Sequence, residues 1–165
     1  MHYVGRFATT RAKLRAYLNR KLRERGWDGE REPDTGDIAE RLAANGYIDD
    51  SGYALSKAQA LSASGYGTRR LVQKLHAAGV ASDDSAPARE LSDEQAVAAA
   101  IRFAQRRRLG PFATKAVDPR DREKALAAMI RAGHGFALSK AILVLAPGDP
   151  VDVEELEAKY RLIAS

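Results

Sequence analysis

The chain has 165 residues, 45% of them hydrophobic and 30% charged, with a formal net charge of +5. It contains no cysteine, which excludes disulfides and thiolate metal sites, and no apolar run near the ~20 residues of a membrane span. The opening MHYVGRFATTRAKL lacks the apolar segment of a signal peptide, so a cytoplasmic protein is expected, one domain or a short array of modules.

Charge is unevenly spread. Residues 1–31 hold nine basic residues against three acidic ones, whereas Asp149 to Glu157 is acidic. A basic front points to a polyanion or an acidic protein surface as partner. Apolar spacing is helical almost throughout. Thr9 and Thr10 can cap a first helix carrying Leu14, Tyr17, Leu18 and Leu22. It stops at Gly26, where Trp27 can fold back on the last turn. Asp37 opens a second helix, which ends at Asn45-Gly46 before Tyr47. Asp49 and Asp50 suit the positive end of a third, with Tyr53, Ala54, Ala58 and Leu61, broken at Gly65-Tyr66-Gly67. Thr68 starts a fourth with Leu71, Val72 and Leu75 inward and Gly79 as its stop.

Residues 81–91, polar and small with Pro87, read as a linker. Ser92-Asp93-Glu94-Gln95 reads as a capping box for a helix with Val97, Ala100, Ile101 and Ala104, which runs into Arg106-Arg107-Arg108 and ends at Gly110-Pro111. Asp118-Pro119 starts the next, with Leu126, Met129 and Ile130 inward and Gly133 as its end. Gly135-Phe136 leads into Ala141, Ile142 and Leu145, stopped by Pro147-Gly148-Asp149-Pro150. A last helix carries Val153, Leu156, Tyr160 and Ile163. The fold class expected is all-α.

One phrase occurs twice: GYALSKA at Gly52 to Ala58 and GFALSKA at Gly135 to Ala141. The flanking residues differ, however. A cap, a basic residue, Leu, three residues and Leu before a glycine recurs better, at Thr10, Lys13, Leu14, Leu18 and Gly26 and at Thr68, Arg70, Leu71, Leu75 and Gly79.

Gly46-Tyr47-Ile48-Asp49-Asp50, Tyr53-Ala54, Gly65-Tyr66-Gly67, Arg70-Leu71, Leu75 and Gly79-Val80 together resemble the central repeat of the RecX family. Lys13-Leu14 and Leu18 resemble its first repeat, and Ala96 to Leu145, with Arg131-Ala132-Gly133, its third. The resemblance implies tandem three-helix repeats forming an elongated, modular helical array. Its parts would be 1–36, a first repeat short at its N-terminal end, 37–80, the linker 81–91, 92–146, and an acidic extension with a helix over 147–165. The two heptapeptides then fall on non-equivalent helices. The resemblance also implies a non-enzymatic modulator of the recombinase RecA. Such a protein binds the RecA–single-stranded-DNA filament and limits its extension, ATP hydrolysis, strand exchange and coprotease activity.

The residues themselves present no active site. His2, His76 and His134 are scattered, and His76 reads as a surface or partly packed residue. No phosphate-cradling GxxxxGK[ST] occurs, Gly65-Tyr66-Gly67 reads as a turn, and Asp49-Asp50 as caps. The expectations are no metal, no cofactor, no membrane and a monomer. Candidate partner- or DNA-binding residues are Arg69, Arg70 and Lys74 on one helix, where 70 and 74 share a face. Arg106, Arg107 and Arg108 are further candidates, although cations also suit a helix C-terminus. Arg11 and Lys13 in the basic front complete the set. Aromatics do not interleave with these cations, as a base-stacking platform would require. The alternative function is a general basic DNA-binding module that competes with RecA for DNA.

Overall fold

Thr10 shows how local chemistry sets the first element. Its extended backbone positions Oγ1 to accept from the Lys13 amide at 3.2 Å, and α1, Arg11–Arg25, starts there. The computed structural model describes the backbone of residues 9–164 and side chains through residue 162. Among the described residues there are nine α-helices, one 3-10 turn and no strand, so the protein is all-α. After α1 come α2, Thr35–Ala44, α3, Asp50–Ala63, and α4, Thr68–Ala77. Then follow α5, Ser82–Glu94, α6, Ala96–Arg107, and the 3-10 turn Gly110–Phe112. The chain continues through α7, Pro119–Arg131, α8, Phe136–Leu143, and α9, Val153–Ala164.

Five helices end in the same way. An amide two or three residues past the helix reaches back five positions into the last turn, as in Tyr47 to Leu42, Tyr66 to Leu61, Val80 to Leu75, Leu109 to Ala104 and His134 to Met129. The residue before it is left-handed each time: Gly46, Gly65, Gly79 and Gly133, but Arg108 after α6.

The chain divides into two compact units. The first takes residues through Ser56 together with Lys74–Ala88, the second Lys57–Gln73 together with residues from Arg89 onward. Helices α3, α4 and α5 thus contribute to both. In the first unit, α1 packs on α2 around Leu14, Ala39 and Ile48, with Tyr17, Leu18 and Leu42 against them. In the second, Val97, Ala100, Phe103 and Ala104 of α6 meet Met129, Leu138, Ile142 and Leu156. The alanines of α6 let neighbouring helices approach closely, and the larger side chains fill the space between them.

Several local expectations are corrected. Residues 81–91 are not a linker, because α5 runs through them. Its inward residues are Ser85, Ala88 and Ser92, so the helical period is carried by small and polar side chains, not by an apolar stripe. Asp83 and Asp84 favour its positive end, and the Ser85 hydroxyl bonds the Ser82 carbonyl at 2.8 Å. Ser92 therefore lies inside α5 and caps nothing; α6 begins after Gln95, which makes no side-chain cap. The second helix is capped by Asp34, whose carboxylate accepts from the Gly36 and Asp37 amides, three residues before the expected start. Trp27 and Tyr47 are more than half exposed and do not fold back as apolar anchors.

The repeated heptapeptide folds in two settings. The first copy lies within α3 and buries Ala54 and Ala58. The second starts at the cap of α8 and buries Leu138 and Ser139, leaving Phe136 exposed. Equal letters thus present different faces in the two helices.

Candidate functional site

The candidate cations separate into those engaged within the protein and those that are not. Arg11 is half-buried, and its backbone amide and Nε donate to the Asp50 carboxylate at 3.0 and 3.3 Å. Its remaining guanidinium nitrogens reach Glu40 at 3.2 Å and Asp84. Asp50 is buried, so Arg11 supplies the counter-charge that lets a carboxylate sit there. Arg11 is thus a structural clamp joining α1, α2, α3 and α5 in the first unit, and not a free cation. Sequence reasoning treats Asp49 and Asp50 alike as caps. Asp49 does accept from the Gly52 amide at 2.8 Å, but Asp50 is the buried half of the clamp. Only the third dimension distinguishes them. Lys13 is also engaged, with Nζ bonded to the Tyr53 hydroxyl at 2.8 Å and 4.6 Å from the ring centroid.

Helix α4 is different. Leu71 and Leu75 are almost completely buried, which turns Arg69 and Lys74 outward and leaves Arg70 partly exposed. Among the described residues none of these three side chains makes an ion pair. Arg106 and Arg107 are exposed on the last turn of α6, with Arg107 5.8 Å from the Phe103 ring centroid, and Arg108 follows in the left-handed conformation. The α4 and α6 cations stay on separate elements.

The start of α4 is held by a clasp between two turns of the second unit. The Gly67 amide donates to the Ala132 carbonyl at 3.0 Å, and the Arg69 amide donates to Gly133 at 3.2 Å. These amides are otherwise the unsatisfied donors of a helix N-terminus. In return His134 donates Nε2–H to the Gly65 carbonyl at 3.0 Å. Thr68 does not cap its own helix. Its hydroxyl donates to Asp93 at 2.7 Å and receives the Ser92 hydroxyl at 3.0 Å. The turn at Gly65-Tyr66-Gly67 and the Ala132-Gly133-His134 corner are both legible in the sequence as turns; their mutual engagement is not.

His134 is 2% exposed and packs against Phe103, with ring centroids 5.5 Å apart. Donation by Nε2 leaves Nδ1 as an acceptor without a partner. Burial pushes the imidazole below its ordinary value, opposed by the bond to Gly65. The unfolded chain therefore binds this proton more readily than the folded one. The stability contribution is complete above about pH 6.5 and falls as the pH drops below it. Urea midpoints measured at neutral pH and at about pH 5.5 are expected to differ in this direction. His134→Gln, which keeps a donor toward Gly65, should flatten the dependence by removing the titrating group.

Among the described residues no group of three histidine, aspartate or glutamate side chains is placed to hold a metal ion. No described helix is long and apolar enough to cross a membrane. His76 is exposed on α4.

No family model matches the chain. A protein of Myxococcus xanthus named "Regulatory protein RecX" is 34% identical over 154 residues, covering 87% of this chain and 81% of that protein. A second protein of the same name, from Agrobacterium fabrum, is 29% identical over 106 residues, covering 64% of this chain and 56% of that one. With more than four-fifths of each sequence aligned to the Myxococcus protein at that identity, the chain belongs to the RecX family of regulatory proteins.

Proposed function

We propose that the chain is a cytoplasmic, non-enzymatic modulator of RecA. In this reading it binds the RecA–single-stranded-DNA filament as a monomer and limits filament extension, ATP hydrolysis, strand exchange and coprotease activity, and with them recombinational repair and the SOS response. Kinship with proteins named regulatory supports it. The observation that carries it is the exposed edge of α4, whose cations are unpaired within the described residues while its leucines anchor the helix. A filament of acidic groove surface and DNA phosphate would supply the missing counter-charges. Tandem repeats of three helices belong to the same proposal, supported by the recurring helix ends at Gly46, Gly65, Gly79 and Gly133.

The test is RecA ATPase on single-stranded DNA with and without the protein. Inhibition is expected, and the variant Arg69→Glu/Arg70→Glu/Lys74→Glu should need a much higher concentration at unchanged helicity. Removing one charged hydrogen bond from a partly desolvated interface costs about 1–3 kcal/mol, against near zero for an unused surface charge. Inhibition by the variant at the wild-type concentration would remove α4 from the interface. The second reading, competition for DNA by a general basic module, rests on the same unpaired cations. It predicts binding to bare DNA that weakens steeply with salt and is indifferent to RecA.

A further inference from the structure

The second unit holds a pocket apart from the α4 edge, lined in part by Arg108, one of the candidate cations. It has a volume of about 380 Å³ and lies among the segment after α6, the first turns of α7 and the residues following α8. Its wall is aliphatic, from Leu109, Val117 and Val144 among others, and Arg108, Lys115 and Arg122 also line it. These three cations make no ion pair among the described residues. The one carboxylate lining the pocket, Asp121, is paired with Lys124 at 2.8 Å and is also within electrostatic reach of Lys115. Val144 is 65% exposed, so the apolar surface extends past the mouth.

The frame around the pocket is fastened. Gly148 donates its amide to the Pro111 carbonyl at 2.9 Å, and the Asp149 carboxylate accepts from the Ala146 amide at 2.7 Å. Gly110 lies so close to α8 that a Cβ there would meet the Ile142 carbonyl oxygen at 2.6 Å. Arg108 lines the pocket from a left-handed backbone, φ 54 and ψ 51, at a position that is glycine at the four other helix ends of this type. A side chain at that conformation is disfavoured, and here it adds a third cation to a pocket lined by a single carboxylate.

We infer that this pocket docks a short acidic peptide segment of a partner protein, one aliphatic side chain entering the cavity while flanking carboxylates meet Arg108, Lys115 and Arg122. The cations call for carboxylate or phosphate oxygens, and arginine can hold carboxylates bidentately. The aliphatic wall decides between them. No aromatic ring lines the pocket, so a nucleic-acid base would find no stacking surface, whereas a leucine or valine side chain would be desolvated. The exposed Val144 allows the segment to continue beyond the cavity.

The probe is a fluorescein-labelled nonapeptide of aspartates and glutamates with one central leucine, titrated by anisotropy with the full chain. Saturable binding is expected, weakened at least ~10-fold when that leucine is replaced by serine, because burial of the side chain is then lost. Arg122→Glu and Val144→Asp, both at exposed positions, should each weaken it by at least ~10-fold with helicity retained. Arg120→Glu, also exposed on α7 but outside the pocket lining, should have little effect. Equal binding of the leucine and serine peptides, an equal loss in the Arg120 variant, or displacement by a comparable concentration of a thymidine oligonucleotide would reveal only a general polyanion surface and overturn the proposal. So would a leucine peptide binding more weakly than about 1 mM.

Discussion

Gly133→Ala is expected to cost the second unit about 3 kcal/mol or more and to abolish the clasp at the start of α4. Two effects combine there. The backbone φ of +97° is disfavoured for any residue with a Cβ, and that Cβ would lie 2.5 Å from the Arg70 amide nitrogen. Gly67→Ala should be comparably damaging for one reason alone, since its Cβ would run into the Gly133 carbonyl, 2.5 Å from the carbon. Both obstacles are backbone, so neither can be relieved by a change of rotamer. Two further glycines of the same unit make the comparison quantitative. Gly148 has φ +87° with nothing within 4 Å, and alanine there should cost about 1–2 kcal/mol, from conformation alone. Gly135 has neither a left-handed φ nor a close neighbour, and alanine should change stability by only a few tenths of a kcal/mol. Urea midpoints of the four variants should fall in that order, Gly135 least affected. A Gly67 or Gly133 variant as stable as the Gly135 variant would mean that the two turns are not interlocked.

Arg11→Met should destabilise the first unit by about 3–5 kcal/mol, because it removes the guanidinium from the buried Asp50 carboxylate and leaves that charge with the Arg11 backbone amide. Combining it with Asp50→Leu should recover much of the loss, since an apolar pair imposes no desolvation penalty. The exposed pair Arg41–Asp37, at 3.2 Å, is the contrast; Arg41→Met should shift stability by under about 1 kcal/mol. Thermal unfolding of the three variants checks the ranking. Equal small effects at Arg11 and Arg41 would show that the Asp50 carboxylate is solvated.

The sequence is most informative where the determinants are local. Thr10 caps α1, Asp118 with Pro119 opens α7, and the stops at Gly26, Gly46, Gly65, Gly79 and Gly133 lie where expected, because each depends on a few consecutive residues. Helix α5 is hidden because a face of Ser85, Ala88 and Ser92 has no apolar period, and Pro87 resembles a breaker. The capping box at Ser92 fails for the related reason that its motif also occurs inside helices. At the candidate site, exposure of Arg69 and Lys74 follows from Leu71 and Leu75 on the buried face. The clamp role of Arg11 is out of reach, because its partners Glu40, Asp50 and Asp84 lie 29, 39 and 73 positions away.

Those separations matter during synthesis. Thr10 donates its hydroxyl to the Ala78 carbonyl, 68 positions onward, and Arg11 reaches Asp84. At about 5–20 residues per second, the helix that leaves the ribosome early waits on the order of 4 to 15 s for its last partner to be made. A lone helix of 15 residues is only marginally stable in water, so α1 emerges as a fluctuating segment. Its leucines and tyrosine are then available to chaperones, and to other nascent chains on the same polysome, until α5 has been translated. Crowded expression should therefore expose this helix to aggregation more than the stability of the finished fold would indicate.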